Sequence, residues 1–291
     1  MSVPEKTLEH WASQYVTYRY RSKAALWWPT RGEDIDVRWL PQRPGKAVQL
    51  ELKTTTVSGT HFHDVLVDLG QLWEYRQRRL GRQPFYAFPA PDWRGQLSAA
   101  ATNGGLPVTE LAFARSGPGW WFADWMVVAT AAQVAAVLHV ELIAHGSAKR
   151  GKKQRLVRFD LTRSASHPVV TWGSGATPPV TLGWRHFWAT LERCGQVDWP
   201  QLIMLPLDLL VSQRQVRRSQ MLDLMVGAAS VPATEWERGG VVVLEPDGEG
   251  GYEVAPTTTD DQPRQEQDAD DAMDDHRQLI FLDAEALYRE I

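Results

Sequence analysis

Two short segments with strict apolar–polar alternation constrain this chain more than any other feature. In residues 34–40 (DIDVRWL), Ile35, Val37 and Trp39 fall on one face and Asp34, Asp36 and Arg38 on the other. In residues 47–53 (AVQLELK), Val48, Leu50 and Leu52 oppose Gln49, Glu51 and Lys53. A period of two is that of a half-buried strand. The intervening PQRPGK has the composition of a turn. The two segments are therefore expected to form a β-hairpin. With the turn centred between Arg43 and Pro44, Asp36 lies opposite Glu51 and Asp34 opposite Lys53.

Directly opposed residues of an antiparallel pair have Cβ atoms about 4.5–5.5 Å apart, and like charges so placed repel. A divalent cation turns that repulsion into binding. Mg²⁺ is held by one or two carboxylates together with water and phosphate oxygens. It acidifies a bound water and offsets charge building on a phosphate. Lys53 shares a face with Glu51, where an ammonium can position the attacking water or stabilise developing negative charge. A register slipped by two residues instead places Asp36 opposite Lys53 as a surface ion pair, worth about 0–1 kcal/mol. Spacing alone does not choose between these.

The neighbouring sequence predicts a compact α/β unit. Residues 5–20 read as a helix, with Leu8, Trp11, Tyr15 and Tyr18 on its apolar face and Glu9 beside it. Residues 62–69 read as a third strand and 84–89 as a short one. Residues 70–80 read as a helix with Leu72, Trp73 and Leu80 inward. Farther on, 120–129 and 155–161 suggest strands, while 130–142, 183–194 and 207–226 suggest helices, the last carrying Arg214, Arg217 and Arg218.

Residues 32–53 (GEDIDVRWLPQRPGKAVQLELK) resemble the core signature of the PD-(D/E)XK, or restriction-endonuclease-like, nuclease superfamily. In that signature an Asp on one strand precedes a Glu-x-Lys on the next. The order helix, hairpin, strand, helix, strand over residues 5–90 resembles the family core as well. The resemblance implies an α/β fold, a mixed β-sheet core flanked by helices, with a C-terminal extension. It implies catalytic roles for Asp36, Glu51, Lys53, Glu9 (in TLEHW) and Gln71 (in GQLWEY). Asp36, Glu51 and Glu9 would hold Mg²⁺ or Mn²⁺, and Gln71 would orient a phosphate or water. Ile35 stands where the signature often has Pro, and Asp34 competes for the Asp role. The implied activity is metal-dependent cleavage of DNA, in phage defence, restriction or DNA processing. Two other readings stay open: a non-catalytic nucleic-acid-binding or scaffold subunit of a defence complex, and an RNA-directed nuclease.

Charge distribution accords with a polyanionic partner. Residues 245–291 hold 15 Asp and Glu against 3 Arg, which leaves residues 1–244 with 28 basic and 20 acidic residues. The body is thus basic and the tail acidic, a suggestive imbalance for nucleic-acid binding. Its densest basic run is Lys149 to Arg158. The expected division is a nuclease core with its extension (1–143), a C-terminal α/β region (144–244), an acidic disordered linker (245–278) and a short segment (279–291) that docks back. The linker either solubilises the chain or mimics nucleic acid in the basic groove.

The remaining features set limits. The single cysteine, Cys194, excludes an internal disulfide and a thiolate zinc site. No apolar run follows a basic start and no stretch reaches the roughly 20 apolar residues of a membrane span. A cytoplasmic protein without a membrane partner is expected; a homodimer or a second protein subunit stays open. His61 and His63, with Asp64, lack a second ligand pair suited to zinc. Of the 14 tryptophans, Trp27, Trp28, Trp120 and Trp121 among them, most are expected in the core and not as base-stacking platforms.

Overall fold

A computed structural model of the 291-residue chain describes residues 5–28, 40–58, 62–89, 126–148, 154–160, 182–193, 199–210, 215–232, 239–255 and 277–287. Asp34, Asp36 and the rest of the first hairpin strand through residue 39 lie outside them, as do His61, Trp120, Trp121, Cys194, Arg214 and residues 256–276. The architecture is mixed α/β: a sheet of ten strands flanked by helices, and a separate three-stranded sheet. Among the described residues no helix is long and apolar enough to cross a membrane.

In chain order the strands are β1 (Ala24–Trp27), β2 (Gly45–Leu52), β3 (Thr55–Ser58), β4 (Phe62–Asp68), β5 (Pro84–Pro89), β6 (Met126–Thr130) and β7 (Gln154–Asp160). There follow β8 (Leu182–Gly183), β9 (Leu202–Pro206), β10 (Gln215–Arg217), β11 (Val241–Pro246), β12 (Gly251–Val254) and β13 (Arg277–Asp283). The helices near the candidate site are α1 (Glu5–Tyr20) and α2 (Leu69–Gln77). The chain packs into two compact units, interleaved in sequence.

The first unit comprises Met1–Arg19, Glu51–Arg78 and Phe85–Ala189. Antiparallel ladders join β5 to β6 and β6 to β8, while β4 pairs with both β3 and β7. Val65, Val67, Leu69, Leu72, Tyr75, Tyr86, Phe88, Val127 and Val134 share a core. A second apolar group stacks edge to face: Trp184 against Tyr15 at 5.7 Å, Trp188 at 5.4 Å from Trp184, and Phe187 at 4.8 Å from Phe85. Such ring pairs add about 0.5–1.5 kcal/mol each beyond their burial.

Local signals explain the element ends. The Asp68 side chain caps α2, accepting from the Gly70 and Gln71 amides at 2.8 and 3.1 Å. Thr130 and Gln133 form a reciprocal capping box at the start of the helix Ala131–Val137. The helix expected over 130–142 is in fact two, Ala131–Val137 and His139–Ala148, because Leu138 leaves helical geometry with ψ 24°. On α1 the buried arc is Leu8, Glu9, Trp11, Ala12, Tyr15 and Val16; Tyr18 falls off its edge and is 49% exposed. On α2 it is Tyr75, not Trp73, that turns inward, and Leu80 lies beyond the helix in a 3-10 turn.

The second unit comprises Tyr20–Leu50, Arg79–Pro84 and Thr190–Ile291. Here β9 pairs antiparallel with β2 and β11, β12 with β11 and β10, and β1 with β13. Leu40, Ala47, Leu202, Met204, Leu279 and Phe281 form its core. Residues 207–226, expected as one or two helices, divide into a 3-10 turn (Leu207–Leu210), β10 and a helix Arg218–Ala229. Within the stretch expected as an acidic linker, Gly251–Val254 is a strand and Arg277 opens another. The most acidic part of that stretch, residues 256–276, lies outside the described residues.

Candidate active site around Glu51 and Lys53

The strand β2 was expected to be half-buried; all eight of its residues are buried. The face carrying Gln49 and Glu51 therefore meets protein, not solvent, and the reading of that face as an ordinary solvated surface does not hold. Charges so placed need partners, because an unpaired buried charge is strongly destabilising.

Glu51 has such partners, all from the first unit. Its carboxylate is 0% exposed, and Oε1 lies 2.6 Å from the Lys53 ammonium. The nitrogen sits outside hydrogen-bonding angles at Oε1, so this contact is an ion pair by charge and proximity. Oε2 accepts a hydrogen bond from the Tyr75 hydroxyl at 2.7 Å. The Lys53 side chain keeps 10% of its surface open.

Each element is held in place independently. The Lys53 amide donates to the Ala87 carbonyl at 2.9 Å, so the residue just past β2 remains tied to β5. The Thr54 amide donates to Glu5 Oε1 at 3.2 Å, which fastens the first turn of α1 beside it. An acidic residue there also suits the positive end of the helix dipole. Tyr75 packs edge-on against Tyr86 at 6.2 Å and carries the Arg78 guanidinium over its ring at 5.0 Å.

The other expected residues take varied positions. Glu9 is buried at 4% exposure on α1 and pairs with Lys6 Nζ at 3.1 Å. Gln71 is half-buried on α2, one turn before Tyr75 and on the same face. Asp36, like its competitor Asp34, lies outside the described residues, as does the expected hairpin partner of β2. Among the described residues no three His, Cys, Asp or Glu side chains gather as a metal cluster. The donors present are nonetheless carboxylate oxygens, the ligands a hard divalent cation takes. Two of these side chains, Glu9 and Glu51, are buried in one unit, and each already faces a lysine ammonium.

Two contributors were not singled out from sequence, Tyr75 and Glu5. For Tyr75 a signal existed, because it follows Gln71 by four residues and so shares its helix face. For Glu5 there was none, because its contact with Thr54 spans 49 positions of sequence.

In comparisons with known proteins, no family model, no curated protein and no solved structure matches this chain.

Proposed function

We propose that the chain is a Mg²⁺- or Mn²⁺-dependent DNA endonuclease of the PD-(D/E)XK type, acting in phage defence, restriction or DNA processing. The observation that carries this reading is the buried Glu51–Lys53 pair at 2.6 Å. A structural ion pair is usually replaceable by well-packed apolar residues without loss, so burying one is weak as a stability device. A carboxylate and an ammonium held side by side can serve a cation and the developing charge on a phosphate in phosphodiester hydrolysis.

In this mechanism Glu51, Asp36 and Glu9 would hold the cation. When bound, it supplies an acidified water and offsets charge on the phosphate. Lys53 places its ammonium beside the attacking water or the phosphoryl oxygen on which charge develops. Tyr75 fixes the orientation of Glu51, and Gln71 steadies a phosphate or water. Water oxygen bonds to phosphorus, the bond to one ester oxygen breaks, and that oxygen leaves with a proton. The basic residues of 149–158 grip the backbone through charge.

The test is cleavage of plasmid and linear DNA, with single-stranded DNA and RNA alongside, in Mg²⁺, Mn²⁺ or EDTA. Wild type is compared with Asp36→Ala and Lys53→Ala. The expected result is metal-dependent cutting of DNA that both substitutions lower by at least ~10². Absence of cutting by wild type favours the binding or scaffold subunit, and preference for RNA favours the RNA-directed enzyme. Cutting that survives both substitutions removes these residues from the mechanism.

A further inference from the structure

The strand β13 completes the second unit from the far end of the chain. It lies between β1 and β2, both within the first 52 residues, and pairs with each. Against β1 the ladder is antiparallel, from Trp27 opposite Leu279 to Ala24 opposite Leu282. All seven residues of β13 are buried. Leu279 and Phe281 enter the core with Leu40, Ala47, Leu202 and Met204, and Ile280 and Leu282 are wholly enclosed as well. Alternate side chains thus anchor both faces, as in a peptide added to a sheet as a strand.

The acceptor is shaped for this one strand. Gly45 has no Cβ where the Leu282 carbonyl and the Phe281 ring come closest. The Pro44 carbonyl accepts from the Ala284 amide at 2.9 Å. Just beyond β13, Asp283 Oδ1 accepts from the Glu285 amide at 2.8 Å, and the Glu285 carboxylate pairs with Lys23. The covalent link back to β12 is a different kind of sequence. Residues 256–276 are 21 in number, with eight acidic side chains and Met273 as the one large apolar side chain. Such a composition offers little to a core.

We infer that the space between β1 and β2 is a strand-binding groove and that β13, with the short helix Ala284–Leu287, is its tethered ligand, released and replaceable once the tether is cut. This is independent of the catalytic reading above. A tether of this length holds its end at an effective concentration on the order of mM, which keeps the groove filled even where the free peptide binds modestly. Cutting the tether lowers that concentration to the concentration of the protein itself. A permanent strand becomes a dissociable one, so cleavage within residues 256–276 controls whether the second unit is complete.

The experiment uses the full chain with a sequence-specific protease site in place of residues 262–267, cut in the native state or left uncut. Each form, at about 1 µM, is mixed with about 10 µM fluorescent peptide spanning residues 275–291, passed through mild urea and diluted back, and uptake is read by fluorescence anisotropy. The cut protein is expected to carry the peptide in most molecules, and the uncut protein about a hundredfold less, the ratio of free peptide to a tether on the order of mM. Peptides carrying Leu279→Asp or Phe281→Asp should stay out, because each would bury an unpaired charge. These substitutions are in the peptide and leave the folding of the protein untouched.

Exclusion of the peptide from cut protein that retains its own fragment overturns the proposal, because β13 is then an integral strand. Equal uptake by cut and uncut protein, or by the Asp-bearing peptides, places the peptide elsewhere and overturns it too. So does cut protein whose circular dichroism signal is lost and not restored by peptide, or a native chain whose inserted site resists the protease.

Discussion

At the scale of single residues, the buried carboxylate of Glu51 governs its surroundings. Tyr75, whose hydroxyl donates to it, lies in the core with its ring edge-on to that of Tyr86. Removing that donor leaves a buried charged acceptor short of one partner, which costs about 1–3 kcal/mol. Tyr75→Phe is expected to lower stability by that amount in urea denaturation. Under the metal-dependent activity proposed above, it is also expected to raise the Mg²⁺ concentration needed for half-maximal cleavage, because the carboxylate loses its fixed orientation. Unchanged stability would mean that the hydrogen bond contributes nothing net. The spacing of Glu51 and Lys53 was legible in sequence, since residues two apart on a strand share a face. That this face is buried was not legible, because Gln-x-Glu-x-Lys is also what a solvated face looks like.

At the scale of elements, the second unit shows how closely its strands approach. A Cβ added at Gly45, the first residue of β2, would sit 2.3 Å from the Leu282 carbonyl oxygen and 2.5 Å from the Phe281 ring. Backbone cannot yield as a flexible side chain does, so Gly45→Ala is expected to destabilise by about 1–3 kcal/mol, the usual cost of overpacking. Chemical denaturation measures it; a neutral effect would show that β13 shifts freely. The neighbouring Lys46 is buried and donates to the Leu191 carbonyl at 2.6 Å, in the last turn of the helix Trp184–Arg193. A cation there satisfies an otherwise unpaired carbonyl and meets the negative end of the helix dipole. The periodicity of β2 was read correctly as strand, yet its glycine and its lysine make sense only beside residues more than a hundred positions away.

At the scale of the whole molecule, neither compact unit is a continuous stretch of chain. Within the first unit, β7 (residues 154–160) is the ladder partner of β4, and Trp184 and Trp188 pack on Tyr15. A fragment of residues 1–143, the boundary suggested by sequence, lacks all of these. It is expected to show no cooperative unfolding transition by circular dichroism in urea; a sharp transition would show that the core stands without them. The acidic C-terminal region needs equal care. A deletion from residue 245 would remove β12 and β13 along with residues 256–276, so it would report on folding of the second unit before it reported on any contact with nucleic acid.

The amino-acid sequence by itself determined where strands and helices form over residues 5–20, 47–52, 62–68 and 84–89, because hydrophobic period and turn chemistry are local properties; that the strand begins at Gly45, inside the expected turn, it did not determine. It also determined that Glu51 and Lys53 stand on one face, and that Gln71 and the residue four beyond it share another. Only the tertiary structure decided which faces are buried, that Tyr75 and not Trp73 points inward, and that residues 277–283 form a wholly buried strand. Burial depends on which distant segments cover a face, and that is settled by packing among residues that local periodicity does not connect.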